Sequence, residues 1–497
     1  MRNHPLKTGR VILAATSLTA VTLLLSDISG SLHRFLGWMA RIQLWPAVLA
    51  LNIGVIIALA ALTLVFGRIY CSVICPLGIW QDLVSRAAGK GRKHFSFLKE
   101  KKVLRYLIWV VFVAASIAGA GALAALLDPY SVWGRSVQNL LQPVYTGVNN
   151  LLALGAERIG SYAFYSHEIW LRSLPTFAIA LCTIILVSVL AARNGRSWCN
   201  DVCPVGTTLS LLSRFSLFKP VIDSEHCKDC KACERACKSQ CIDIASHKID
   251  YSRCVDCFNC LGSCKFDALH YRFSPLRAKK GSRGPGAPDK GRRAFLAGAA
   301  TVAAGTVLKA QDYKVDGGLA EIERKQVPER HTKITPPGSE GADNMYSRCT
   351  ACQLCVAQCP SGVLRPSTDL RHLMQPESSY ERGWCRPECT VCSEVCPTGA
   401  IKPLTREQKT AVHIGHAVVL RQNCICSADG VQCNNCARHC PAGAITMVPA
   451  DPQDETGILI PSINTERCIG CGACENLCPA RPMSAIFVEG YKQHIIS

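Results

Sequence analysis

Cys227-Lys228-Asp229-Cys230-Lys231-Ala232-Cys233-Glu234-Arg235-Ala236-Cys237 sets the reading of the whole chain. Its four cysteines are separated by two, two and three residues, and the same spacing returns at Cys254, Cys257, Cys260 and Cys264. Three thiolates on so tight a loop wrap one corner of an iron–sulfur cube, while the fourth, a turn further on, reaches a neighbouring cube. The proline that usually follows the fourth cysteine is replaced by Lys238 and Lys265, and Cys241 is a spare thiol able to substitute for Cys237.

The pattern continues downstream. Cys349, Cys352, Cys355 and Cys359-Pro360 have it in full, as do Cys468, Cys471, Cys474 and Cys478-Pro479. Cys385, Cys389, Cys392 and Cys396-Pro397 carry one extra residue in the first gap. A further block ends in Cys433, Cys436 and Cys440-Pro441, with either Cys424 or Cys426 as its first ligand. The crossover rule predicts that Cys359 joins the Cys385 block and Cys396 the Cys349 block, and that Cys440 and Cys478 exchange likewise. Short β-prone runs after several blocks (417–420, 444–448, 458–460, 485–488) suit small ferredoxin-like modules, which bury too little apolar surface to stand without their clusters. Disulfides are not expected from cysteines spaced in this way, and zinc ribbons separate their cysteine pairs by longer loops.

The chain has 497 residues, 31 of them cysteine, and a net charge of +19. From Gln311 onward there are 18 Lys/Arg against 20 Asp/Glu, so the positive excess lies entirely in the first 310 residues. Such a split predicts two compartments rather than one basic face. No basic stripe with interleaved aromatics is present, which argues against nucleic acid as a partner.

Apolar runs at Val11–Ser26, Leu44–Phe66, Tyr106–Leu127 and Leu174–Ala192 predict four membrane helices, the first of them short. Gly67–Lys102 holds eight Lys/Arg and Asp128–Ser173 three, which places the first loop in the cytoplasm and the second outside. In the outer loop, Tyr130, Trp133, Tyr145, Tyr162, Tyr165 and Trp170 read as interfacial anchors, and 137–154 as a segment lying on the membrane. Cys182 reads as a small buried residue. No helix core contains histidine and no CxxCH occurs, so haem is not expected, nor is covalent flavin, since no S-G-A-T sequence is present.

Cys71-Ser-Val-Ile-Cys75-Pro76 and Cys199-Asn-Asp-Val-Cys203-Pro204 follow the second and fourth runs. Residues four apart share a helix face, so each offers two thiols together, and the four could complete one more metal or cluster site. The alternative is a pair of redox-active or idle thiols. Beyond Arg272 the chain turns Gly-, Pro- and Lys/Arg-rich and reaches Arg292-Arg293-Ala-Phe-Leu, followed by the mild apolar run 294–308. This has the form of a twin-arginine export signal. Four preceding helices would return the chain to the cytoplasm, where such a signal must start.

The first part resembles the NapH-type membrane ferredoxins, with four spans, two C-x3-C-P blocks and a two-cluster domain. The second resembles the NapG/MauM-type periplasmic ferredoxins, with a twin-arginine leader and four blocks. The resemblance implies a multi-domain fold. Residues 1–215 would form an α-helical membrane domain of four helices, and 216–272 a cytoplasmic two-cluster ferredoxin domain. Residues 273–310 would be a basic linker with a signal or anchor helix, and 311–497 a periplasmic four-cluster α+β ferredoxin-like domain. It implies about six 4Fe-4S clusters and a quinol dehydrogenase of the bacterial inner membrane. That enzyme would work with the quinone pool and a periplasmic c-type cytochrome or terminal reductase, within a complex of subunits. With cluster domains on opposite sides of about 30 Å of hydrocarbon, a mobile quinone is the simplest link between them. Asp128 and His167 are the outer-face candidates for accepting quinol protons, while His413 and His416 read as surface residues beside a strand. The rival function is an accessory protein that uses the C-x3-C-P thiols for metal reduction or maturation of a partner enzyme.

Overall fold

A computed structural model describes residues 4–27, 30–91, 95–160, 165–166, 171–274, 323, 325–451 and 457–496. The twin arginine, the run 294–308, Tyr162, His167 and Trp170 lie outside the described residues.

Two of the four apolar runs are single long helices, α1 (Pro5–Ser26) and α8 (Leu174–Asn194), and both are long and apolar enough to cross a membrane. The run expected to be short is thus one of the longest. The other two runs are broken. Asn52, after Leu51 at φ 52°, caps the 14-residue α2 (Ile53–Phe66) by accepting from the Val55 amide. Gly119, at φ 75°, separates α4 (Lys102–Ile117) from α5 (Gly121–Leu127). Between them, α3 (Pro76–Ala87) starts with proline at its first turn, where no amide partner is needed. α6 (Pro129–Ser136) starts the same way, capped by Asp128, and leads into α7 (Gln142–Arg158); α9 (Pro204–Ser213) ends the helical part.

Apolar side chains remain exposed along α2 (Ile53, Ile57), α4 (Leu107, Val110), α7 (Val144, Leu151) and α8 (Ile185, Leu186). Cys182 is among the exposed residues of α8, not buried as its apolar surroundings suggested. Tyr130 and Trp133, expected as interfacial anchors, are 1% and 4% exposed in the core; Tyr145 and Tyr165 are exposed.

Three cysteine-rich units follow. In the first, β1 (Phe218–Ile222) pairs antiparallel with β2 (Leu269–Phe273). The second spans the blocks from Cys349 to Cys396. In the third, β3 (Val412–Val419) pairs antiparallel with β6 (Ile486–Ile496), and β4 (Ile445–Pro449) with β5 (Leu459–Ile463).

The first unit docks under the helices at two glycines with left-handed backbone. Gly67 (φ 70°) faces the Asp256 carboxylate, and Gly195 (φ 65°) faces the Lys238 carbonyl, which accepts the Arg196 amide at 3.0 Å. A Cβ at Gly195 would lie 2.4 Å from that oxygen. Gly195→Ala should therefore cost about 1–3 kcal/mol and speed hydrogen exchange through residues 225–272. Gly155→Ala, whose Cβ would meet nothing within 4 Å, should be neutral.

His494, near the end of β6, is held by burial well below its ordinary value of 6.5, at about 4, and shares a 3.0 Å hydrogen bond with Thr335 Oγ1. The unfolded chain takes up this proton first, so the stabilisation is complete above about pH 6.5 and is lost as pH falls towards 4. The loss should reach up to about 3 kcal/mol. Hydrogen exchange of the β6 amides across this range should show it, and His494→Gln should flatten the profile.

Candidate metal centres

The four regular blocks share one backbone solution. The residues on either side of the second cysteine are left-handed in each: Asp229 and Lys231, Asp256 and Phe258, Ala351 and Gln353, Gly470 and Gly472, with φ between 49° and 79°. This double reversal turns three thiols towards one point. Six of those eight residues are not glycine, and each such position costs about 1–2 kcal/mol, which something bound at the thiols must offset. The irregular Cys385 and Cys433 blocks lack these reversals.

The thiols group across blocks, as the crossover rule requires. Cys233 lies in electrostatic reach of both Cys264 and Cys227. Cys237, Cys241, Cys254, Cys257 and Cys260 line one pocket. Cys241 Sγ is 3.5 Å from Cys237 Sγ, so both thiols open onto the same space. Cys396 stands with Cys349, Cys352 and Cys355, and Cys359 with Cys385, Cys389 and Cys392. Cys440 stands with Cys468, Cys471 and Cys474. Cys478 joins Cys424, Cys426, Cys433 and Cys436 around one pocket. Cys230 is the exposed member of the Cys227 set.

Burial pushes the Cys352 thiol up to about 12 and those of Cys355 and Cys474 well above the usual range. Metal binding must therefore displace protons here. Backbone amides already point at several sulfurs: Ala268 to Cys264, Ala444 to Cys440 and Ala485 to Cys478, each at 3.3 Å. Such bonds stabilise thiolate and tune the potential of a bound cluster.

The C-x3-C-P pairs converge. Cys71, Cys75, Cys199 and Cys203 are all buried, and each lies in electrostatic reach of others in the set. They do not share a helical turn as expected. Cys75 and Cys203 are the N-cap residues before Pro76 and Pro204, while Cys71 and Cys199 sit in separate short turns upstream.

The residues that join the two halves escaped the sequence reading. Arg68 Nη2 donates to the Cys199 carbonyl at 3.1 Å and approaches Cys71 Sγ at 3.8 Å. Arg196 Nη1 donates to the Cys71 carbonyl at 2.7 Å and approaches Cys199 Sγ at 3.9 Å. Each arginine thus reaches across to the other repeat. Gln81 Nε2 adds a 3.1 Å contact to Cys199 Sγ. Asp82 binds Arg196 Nε at 2.8 Å, Arg10 at 2.7 Å and Lys238 at 3.4 Å. Burial alone would raise the Asp82 carboxyl, but Arg196 and Lys238 hold it well below the usual range. The available signal was Gly67-Arg68-Ile-Tyr-Cys71 against Gly195-Arg196-Ser-Trp-Cys199, with Gly78 and Gly206 matching three residues after the second cysteines.

Arg68 Nε and Arg196 Nη2 are buried without hydrogen-bond partners, as are Arg135 Nε and Nη2 and the Tyr130 hydroxyl beside Cys352. Buried guanidinium donors without acceptors are costly. Four thiolates on an iron–sulfur core carry net negative charge, so both groupings match that cofactor in charge as well as in donor atoms.

Asp128 is 1% exposed and accepts from the Ser131 amide at 2.9 Å and its hydroxyl at 2.7 Å, which makes it a helix cap rather than an outer-face base. His413 is buried, its Nδ1 2.9 Å from the Cys468 carbonyl oxygen, and His416 stacks on Tyr491; neither is the free surface residue expected.

A 4Fe-4S dicluster family model matches residues 431–481 and another matches 250–363, while a 4Fe-4S binding domain model matches 47–97 and 174–222, the two C-x3-C-P repeats. The 250–363 match takes one block from each of two units that the structure pairs otherwise. The methylamine utilization ferredoxin-type protein MauM of Paracoccus denitrificans is 31% identical over 170 residues, 32% of this chain and 73% of that protein. The chain belongs to the ferredoxin-type proteins. MauM of Methylobacillus flagellatus is 33% identical over 154 residues, 30% of this ferredoxin-type chain and 64% of its own length. The ferredoxin-type protein NapG of Escherichia coli is 28% identical over 198 residues, covering 38% and 82%. No solved structure matches. The chain carries multiple 4Fe-4S-binding domains.

Cys424 has the backbone of a first ligand (φ −77°, ψ 121°, against −77°, 123° at Cys349), whereas Cys426 Sγ is engaged with the Cys433 carbonyl at 3.4 Å. Cys424→Ala should lose about four irons per chain and Cys426→Ala none, by iron assay on anaerobically purified protein.

Proposed function

We propose that the chain is a membrane-bound quinol dehydrogenase module that passes electrons between the quinone pool and redox partners outside the inner membrane. The carrying observation is that neighbouring thiol sets adjoin at both ends of the molecule. The Cys227 and Cys254 sets adjoin the C-x3-C-P set through Arg68, whose Nη1 also donates to the Ser252 carbonyl at 3.0 Å. The Cys385 and Cys468 sets meet where the Cys385 amide donates to the Cys471 carbonyl at 2.9 Å.

The four regions 1–215, 216–272, 273–310 and 311–497 then divide the work. The helices with exposed apolar sides hold the chain in the membrane as a four-helix unit. The second region stays in the cytoplasm, and the twin-arginine segment carries the last into the periplasm. This corresponds to a NapH-type protein fused to a NapG/MauM-type one. Six of the thiol sets hold 4Fe-4S clusters, and Cys71, Cys75, Cys199 and Cys203 hold a seventh metal centre. Bound clusters supply one-electron storage and release. The protein fixes their order, excludes water from the middle ones and places Arg68, Arg135 and Arg196 against their negative charge.

Mixing detergent-solubilised protein with a reduced quinol analogue should bleach cluster absorbance and produce reduced-cluster EPR signals. Absence of reduction, with intact iron content, would reject the quinol assignment. A reporter fused after residue 320 should be active only outside the cytoplasm.

A further inference from the structure

Helix α1 serves as a ruler along the molecule. Arg10 Nη1 reaches the Ser72 carbonyl, Ser17 Oγ the Ile74 carbonyl, and Thr22 Oγ1 accepts from Trp133 Nε1. Asp27, just past the helix, offers its carbonyl to Gln358 Nε2 of the Cys349–Cys396 unit at 3.3 Å. Ten residues separate Ser17 from Asp27, a rise of about 15 Å. The C-x3-C-P thiols therefore lie beside the middle of α1, not at its end. The contact with the second unit at Asp27 thus stands about 15 Å along the chain from the contact with Ile74, about half of the roughly 30 Å of a full hydrocarbon thickness.

Aromatic side chains fill that interval. Trp80 of α3, five residues beyond Cys75, packs on Trp133 of α6 with ring centroids 5.5 Å apart. Both indoles are pinned, Trp80 Nε1 to Ser188 Oγ at 3.0 Å and Trp133 Nε1 to Thr22 Oγ1 at 3.3 Å. The next residue, Gly134, lies so close to the second unit that a Cβ there would be 2.5 Å from the Cys352 carbonyl oxygen. Asn139 seals the junction with a 3.1 Å bond to Gln353.

We propose that Trp80 and Trp133, with the Gly134–Cys352 contact, form the bridge by which single electrons pass between the C-x3-C-P centre and the Cys349/Cys352/Cys355/Cys396 centre, so that the chain itself carries electrons across without a mobile quinone. This rests on reading the thiol sets as metal centres. Each transfer oxidises one reduced centre and reduces the next by one electron, with no bond made or broken and no proton moved within the bridge. A quinol, where it reacts, is then a terminal donor rather than the link. Tunnelling falls steeply with distance, and the route runs through the Trp80–Trp133 packing and the close Gly134–Cys352 approach.

The test uses full-length protein in sealed, quinone-free liposomes, oriented with the Cys227 unit outward. Dithionite, an impermeant reductant, is added outside while cluster absorbance and EPR are followed. The expected result is reduction of the enclosed centres as well as the accessible ones. The Cys199→Ala/Cys203→Ala double variant should lose reduction of the enclosed centres while their EPR signals remain inducible by a permeant reductant. Trp133→Leu should slow it several-fold at unchanged iron content. Wild-type protein with full iron whose enclosed centres stay oxidised until a menaquinone analogue is added would overturn the bridge. Absence of iron would instead sink the cluster reading beneath it.

Discussion

Two buried guanidinium groups define the centre of this molecule. Arg68 and Arg196 come from separate repeats, yet each binds the carbonyl of the other repeat's first cysteine. A buried cation without compensation is expensive, and here one carboxylate, Asp82, serves Arg10, Arg196 and Lys238 together. The remaining compensation falls to the four thiols, which helps hold the helical hairpins in register around them. Removing either arginine would strand carbonyls and charge at once.

The same cluster of charges explains a departure from the usual cysteine block. Position 238, where a proline would ordinarily follow the fourth cysteine, is a lysine whose ammonium reaches Asp82 and whose carbonyl takes the Arg196 amide. A proline there would keep the block compact but supply no cation to the junction. Nothing comparable involves the exposed Lys265, and its substitution has no structural account. The first unit is thus fastened to the helices through the residues that surround the C-x3-C-P site.

Much of the site was legible from spacing alone. Two-two-three intervals foretold which thiols meet, including the exchange of Cys359 with Cys396 and of Cys440 with Cys478, because ligand geometry leaves a short loop few options. The two irregular blocks are also the two without left-handed reversals. A charge count does not locate its charges: Arg68, counted with a basic loop, is buried with Cys71 Sγ 3.8 Å away. Helix lengths misled because hydropathy does not register Leu51 and Gly119, whose left-handed backbone breaks two runs. Contacts between distant segments, such as Trp80 on Trp133, leave no local trace in sequence.

Burial varies along the thiol sets. Cys230 at one end is exposed and Cys433 and Cys436 at the other are half-buried; in between, Cys71, Cys75, Cys199, Cys203, Cys349, Cys352 and Cys355 are buried, while Cys359, Cys385, Cys389, Cys392 and Cys396 are half-buried. End centres near the surface can exchange electrons with partners at short range. Middle centres kept from water avoid leakage, and low dielectric strengthens the pull of each nearby arginine on a negative cluster. Buried arginines stand at the buried sets. Arg68 and Arg196 stand at the C-x3-C-P set and Arg135 beside Cys352, while the Cys227 set is flanked in solvent by Lys228, Lys231 and Arg235, the last donating to the Cys230 carbonyl at 2.9 Å. Without those cations, reduction of the buried centres would add charge to a site that cannot solvate it, and the middle of the array would become the barrier to transfer.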